Sequence, residues 1–346
     1  MNDPAKYAAA SPRPNAEWLA RVPPEAALEP EIAIVDPHVH LFHRDYKYFV
    51  EEYARDIGES GHNIEAMVFA ECHAFYRAHG PEHLKSVGET EFAVGMAAIG
   101  ASEKYTSTRV AAGIVGFADL MLGERTREAL EAHIVAGNGR FRGVRNRAKW
   151  DPDPEVRGPI CADGPGLYLR PAFGKGLDLL ASMGLSFDAS IFHTQLPDVA
   201  QLARQHPQAS IVVIHSGSPV LHSSYAGKDA EVHAAWLAGI RDLADCPNVT
   251  MKMGGLLSCL GNFNHKTAAE PPSSELLAGL WRPYIEPCIE ILGADRCMAS
   301  SNFPVDGAGM RYGTAWNAFK RITAGCSADE KRAIYGGTAK RVYRLD

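Results

Sequence analysis

No apolar run in this 346-residue chain approaches the roughly 20 residues needed to cross a bilayer, so no membrane partner is expected. No CxxC pair occurs among its seven cysteines, which excludes a zinc ribbon or a disulfide-stapled small domain. Their odd, scattered placement predicts the reduced thiols of a cytoplasmic protein. An excess of positive charge is also missing: 35 Lys plus Arg face 41 Asp plus Glu, for a net charge of −6. That balance argues against nucleic acid as the partner. The opening segment, MNDPAKYAAASPRPNAEW, has neither the basic stretch nor the apolar stretch of a secretory leader. No GxGxxG follows the first apolar run, against a dinucleotide-binding sheet. Histidine, by contrast, is plentiful, with 14 residues, and points toward metal or proton chemistry.

Residues 1–30, rich in Ala, Pro and charge, read as an arm that wraps the domain or a neighbouring subunit. From residue 31 onward short apolar runs alternate with helical stretches. Candidate strands are IAIVDPHV (32–39), AMVFAEC (66–72), AAGIVGFADL (111–120), FRGVRNRA (141–148), LSFDASI (185–191), SIVVIHSG (210–217), NVTMKMG (248–254) and RCMASSNF (296–303). They are Val-, Ile- and Phe-rich without clean alternation, as in strands buried on both faces. Helical patterns include TREALEAHIVAG, KGLDLLASMG, LPDVAQLARQHP and SSELLAGLWRPYIEPCIEILG. This alternation predicts an α/β fold, a (β/α)8 TIM barrel in one domain spanning 31–346. Extra C-terminal helices complete it, introduced by a Ser327–Glu330 capping box.

In such a barrel, functional side chains gather where strands end. The first strand ends in His38 and His40, which a period of two places on one face, suited to sharing a cation. The second ends in Glu71 and His73, the third in Asp119, and the fourth in Arg145, Asn146 and Arg147. Asp188 and His193, His215, Lys252, and Asn302 with Asp306 follow from the others. Each has a plainer reading. Glu71 fits equally a buried carboxylate paired with Arg145 or Arg147, and His73 and His193 fit loop histidines bonded to backbone. The basic run RFRGVRNRAK suits either a substrate carboxylate or a solvated face. The aromatics of HRDYKYFVEEY (43–53) read as packing and loop residues.

VDPHVHLF, FRGVR, LSFDASIFHTQLPDVAQLARQHP with VVIHSGSP, NVTMKMGGL and RCMASSNFPVD occur in the order seen in amidohydrolase-related proteins. The chain resembles that family from about residue 32 to its end. These are TIM-barrel, metal-dependent hydrolases that include sugar lactonases and pyrone-dicarboxylate lactonase. The resemblance implies His38, His40 and His215 as ligands of a divalent metal, with Glu71 and His193 as further candidates. Zinc is the expected ion, with iron or manganese as alternatives. It places Asn302 where the family carries an Asp that binds metal and takes the proton of the attacking water. Asn cannot ionise and cannot act as that base. Asn146 likewise stands where the related GVRH pattern has histidine.

The expected function is therefore metal-dependent hydrolysis of a small lactone, ester or amide. Asp306 or Glu71 would replace the missing base, and Arg145 would orient a substrate carboxylate. A branch of similar proteins holds two metals, including iron, and acts as oxygenases, in one case with a less conventional subunit beside a catalytic one. The alternatives are thus a non-haem iron or manganese oxygenase, or a non-catalytic partner in a homo- or hetero-oligomer with a paralogous subunit.

Overall fold

Eight parallel strands form one sheet in strict sequence order, each followed by a helix. The structure, a computed structural model, describes residues 12–158 and 160–345; the start of the expected arm lies outside the described residues. The strands are β1 (Ile34–Val39), β2 (Ile64–Ala70), β3 (Arg109–Gly116), β4 (Phe141–Arg147), β5 (Ser186–Ser190), β6 (Ser210–Val213), β7 (Val249–Lys252) and β8 (Cys297–Met298). The helices are α1 (Val50–Ser60), α2 (Val87–Gly100), α3 (Arg127–Ala136), α4 (Pro171–Ser182), α5 (Leu196–Gln205), α6 (Asp229–Ala244), α7 (Ser274–Leu292) and α8 (Tyr312–Ile322). The fold is a (β/α)8 barrel. Among the described residues no helix is long and apolar enough to cross a membrane.

Closure depends on backbone beyond the nominal end of β8. Val39 bridges Phe303 in parallel, His40 N–H donates to Phe303 O at 2.8 Å, and Asn302 N–H donates to His38 O at 3.1 Å. The expected last strand, 296–303, pairs with β7 only over Cys297 and Met298. Beyond it the chain leaves extended geometry, with Asn302 at φ +58°.

Pro37 lies within β1. Asp36 pairs with Met67 and Val39 with Phe69, so three steps along β1 match two along β2. A bulge at Pro37–His38 absorbs the extra residue, as proline in a sheet requires. The phase therefore switches. Asp36 reaches Tyr312 on α8, outside the barrel, at 2.9 Å. His38, two residues on, faces Arg145 of the non-adjacent β4 across the interior, at 3.3 Å.

Segment 43–53, expected as loop, yields a short antiparallel ribbon, Phe42–His43 with Lys47–Tyr48, and then the start of α1. Val50, Tyr53, Ile57 and Ser60 of α1 are buried, a spacing that lines one helix face. The described part of the arm lies along α7 and α8. Trp18 Nε1 donates to Ala268 O at 2.9 Å, Glu25 accepts the Ser274 N–H at 2.6 Å, and Lys320 Nζ donates to the carbonyls of Leu28 and Glu29, each at 2.7 Å.

The Ser327–Glu330 capping box opens α9 (Ala328–Arg332), and α10 (Thr338–Tyr343) follows. Val342, Tyr343 and Leu345 pack with Val35, Ala66, Val68, Ala112, Val212 and Met298, filling the barrel from the side opposite the strand ends. Tyr343 Oη donates to Asp188 Oδ1 at 2.9 Å. Asp188 also holds Lys252 Nζ at 2.6 Å, both side chains fully buried.

Candidate active site

Three imidazoles meet where β1 and β6 end. The ring centroids of His38 and His40 are 4.9 Å apart, and those of His38 and His215 are 4.8 Å apart. Their hydrogen bonds assign the tautomers, because a carbonyl only accepts and a guanidinium only donates. His40 donates from Nδ1 to Ala70 O at 2.8 Å, and His215 from Nδ1 to Gly254 O at 3.0 Å. Nε2 is the lone-pair nitrogen in both. His38 Nε2 accepts from Arg145 Nη1 at 3.3 Å, which leaves its Nδ1–H buried without a partner among the described residues. Burial disfavours the imidazolium form: the pKa of His40 falls to about 3, and those of His38 and His215 lie well below the usual range. All three rings are neutral at neutral pH.

Local backbone presents these rings. His215 and Ser216 adopt φ of +56° and +49° in the turn after β6. Gly255, at φ +73°, leaves room for the ring: a Cβ there would lie 2.1 Å from His215 Nδ1.

Glu71 lies beside the histidines, committed to arginine. Its Oε1 accepts from Arg145 Nε at 2.7 Å and lies 3.2 Å from Arg147 Nη2, and Arg145 also donates to the Glu71 carbonyl. Burial alone would raise this carboxyl, but the two guanidinium groups outweigh it and hold the group well below the usual carboxylate range. That corrects the expectation of Glu71 as a base, since a base needs a pKa near the working pH. It also corrects Arg145 as an open carboxylate clamp, because its fork is occupied. Beyond Glu71, Glu89 of α2 accepts the N–H groups of Cys72 and Ala74, both at 2.8 Å. It thereby fixes the turn that holds His73 at φ +59°, with His73 Nε2 3.4 Å from Glu71 Oε2. Glu71, His73, Asp119 and Arg147 line a cavity of ≈ 1330 Å³.

Among the described residues His193 is not gathered with other His, Cys, Asp or Glu side chains as a metal-ligand set. Its ring packs edge-on against Tyr225, with centroids 5.3 Å apart, and burial lowers its pKa to about 4. Asn302 and Asp306 form a separate pair after β8, with Asn302 Nδ2 donating to Asp306 Oδ1 at 3.0 Å. Backbone links them to the cluster, through Asn302 N–H and His38 O. Asp306 is 1% exposed, its Oδ2 has no hydrogen-bond partner among the described residues, and burial raises its pKa to about 7. Among the described residues no three His, Cys, Asp or Glu side chains are already gathered as a metal-ligand set; the lone pair of His38 is held by Arg145.

Sequence reading missed Asp36, and took Lys149 only as one member of the basic run RFRGVRNRAK. Asp36 accepts the N–H groups of Ser301 and His38 at 3.0 and 3.3 Å, so it fixes both sides of the closing seam. Its position two residues before His38 was a signal, hidden by the bulge.

The amidohydrolase family model matches residues 35–345. An uncharacterised protein, y4mH, of Sinorhizobium fredii is 29% identical over 339 residues, covering 91% of this chain and 99% of the relative. An L-fucono-1,5-lactonase of Burkholderia ambifaria is 27% identical over 243 residues, covering 69% of this chain and 72% of the lactonase. A crystal structure of an amidohydrolase from Burkholderia multivorans with bound zinc superposes with a TM-score of 0.69 at 22% identity, over 91% of this chain and all of that one. A domain-length match of this extent, on a closed eight-stranded barrel with its histidines at the strand ends, makes the chain a member of the amidohydrolase family.

Proposed function

We propose that the chain hydrolyses a small lactone or ester, with the carbonyl held over the histidine cluster and Asp306 taking the proton of the attacking water. One observation carries the reading: three neutral imidazoles stand together at the strand ends, two with Nδ1 pinned to carbonyls and Nε2 left as donor. The lactonase named among the relatives supports the substrate class.

The donors fit a divalent metal in type. Metal-bound histidines commonly give their other N–H to a carbonyl or carboxylate, as His40 and His215 do, and ligation requires the neutral ring. His40 and His215 would hold the ion, with His38 as third donor where the ion takes the place of Arg145 on Nε2. Zinc, named in one solved relative, is the ion we assign. Bound there, it supplies Lewis-acid polarisation of the carbonyl. The oxygenase alternative is weaker, because an iron site of two histidines and one carboxylate would need Glu71, which is bound to two arginines.

The chain's own groups do the rest. Asp306, with a pKa of about 7, is ionised often enough at neutral pH to accept a proton and basic enough to keep it. Asn302 steadies Oδ1 and leaves Oδ2 as the accepting oxygen. The family's base position is thus displaced by four residues along the same loop.

A panel of sugar lactones, simple γ- and δ-lactones and aryl esters, assayed in isotope-labelled water, tests the reading. One label atom in the product per turnover, unaffected by removal of oxygen, is expected. Turnover that stops without oxygen, with label arriving from O₂, would overturn it.

A further inference from the structure

Lys149 follows β4, two residues beyond Arg147 and four beyond Arg145. Arg145 and Arg147 share a face by strand alternation, and Lys149 lies just past the end of that strand. Arg145 and Arg147 are both answered by Glu71. Lys149 forms no ion pair among the described residues. Its Nζ lies 3.9 Å from Cys259 Sγ and 5.0 Å from the centre of the Phe192 ring. The carboxylates nearest in sequence are turned away. Asp151 accepts from Tyr225 Oη at 2.8 Å, and Asp153 accepts the N–H groups of Glu155 and Ser224 at 2.9 and 3.1 Å.

The ammonium stands on the same face as the histidine cluster: the Cys259 it touches donates its N–H to the carbonyl of Gly255, the residue that packs against the His215 ring. Glu71 thus answers two of these cations, and Lys149 is left without a carboxylate among the described residues. A half-buried ammonium has three N–H donors to satisfy, and neither a thiol nor a ring is a strong acceptor. Its apolar neighbours also reduce local screening, which strengthens a charge-assisted bond to an incoming anion.

We infer that Lys149 anchors a carboxylate on the substrate, set off from the reacting carbonyl, and so makes the site selective for carboxylate-bearing lactones over neutral ones. This rests on the hydrolase reading above and names its substrate class. Arg145, expected from sequence to hold that carboxylate, instead holds Glu71. A compact point charge on a flexible stem suits a single carboxylate arriving from solvent, whereas the Arg145 guanidinium is already taken up by Glu71 and His38.

The test compares a γ-lactone bearing a ring carboxylate with the corresponding carboxamide, on the wild type and on K149M, K149Q and K149R. Loss of a charge-assisted hydrogen bond should raise KM for the carboxylate substrate roughly 10–100-fold in K149M and K149Q. With kcat altered by less than about 3-fold, the loss is one of binding. KM for the carboxamide should not move, and K149R should recover most of the affinity. Calorimetry with α-hydroxyglutarate, the ring-opened product, reads the same contact without turnover, and its Kd should weaken by the same factor. Equal losses on both substrates, or wild-type discrimination in K149M, would overturn the assignment. If the wild type opens no lactone, the hydrolase reading fails and calorimetry still decides: Lys149-dependent binding upholds the anchor, and absence of binding to the wild type refutes it.

Discussion

The carboxylate of Asp36 accepts the backbone N–H of Ser301 at 3.0 Å, across the seam where the first and last strands meet. Tyr312 Oη and His38 N–H complete its shell. Asp36→Ala would strand three buried donors, each costing about 1–3 kcal/mol when unsatisfied. A loss of about 3–4 kcal/mol is expected from the urea midpoint. Asp36→Asn keeps an acceptor for Ser301, and the Tyr312 hydroxyl can turn to accept from the amide, so its loss should be under half as large. An Ala variant within about 1 kcal/mol of wild type, the range of ordinary substitutions, would show that the seam closes without this clamp.

Glu71 and Arg145 are the second coupled pair. Glu71→Gln leaves the buried Arg145 and the half-buried Arg147 facing a neutral amide, and breaking one side of a buried pair typically costs about 3–5 kcal/mol. The double variant Glu71→Gln, Arg145→Met removes one of the stranded charges and should regain part of that loss. A double-mutant cycle on unfolding free energy checks this, and a coupling near zero would contradict the ion pair.

The barrel was legible because its strands are apolar on both faces and its helices periodic, as in SIVVIHSG and LPDVAQLARQHP. The histidine pair was legible from the HxH spacing, although the phase was not. Alternation alone puts Asp36 on the face of His38, and only the bulge at Pro37, which depends on pairing with β2, separates them. β8 was overestimated because its closing contacts are made by backbone groups of Asn302 and Phe303, which leave no side-chain pattern. The state of Glu71 was undecidable from sequence, since a carboxylate at a strand end reads the same whether it meets a metal, water or two arginines. Lys149 was hidden in a basic run whose members differ only in which partner each meets across the barrel.

Asp306 sets an expected pH profile. If it is the proton acceptor, kcat/KM should rise with pH through an apparent pKa near 7. Asp306→Asn should abolish that limb and lower the rate about 10²–10⁴-fold. Stability runs in the opposite sense. A carboxyl raised in the folded state from 3.8 to about 7 binds its proton more tightly folded than unfolded, so its contribution is full below about pH 4 and is lost as pH rises toward 7. Asp306→Asn should flatten that decline in Tm. Asn302→Asp replaces the amide donor with a second carboxylate, so the pair should share one proton and the activity limb should shift above 7. An unchanged limb in Asp306→Asn would assign the proton transfer elsewhere.

Gly255 offers a steric test. With φ +73° and a Cβ position 2.1 Å from His215 Nδ1, Gly255→Ala must displace the imidazole or the turn that carries it. At least a 10-fold fall in kcat/KM is expected from a misplacement of this order, with loss of any zinc retained after dialysis. Wild-type activity and metal retention would mean that the ring position does not matter.

The Tyr343 plug has a consequence for synthesis. Asp188 and Lys252 are made well before Tyr343, and a chain emerging from the ribosome presents all eight strands before the residue that closes the barrel from below. Until α10 arrives, a buried carboxylate–ammonium pair has water where the phenol will stand. Completion of the hydrophobic interior is therefore a post-barrel event, and a nascent chain stalled short of residue 338 should display a hydrated, protease-sensitive floor beneath an otherwise ordered ring of strands.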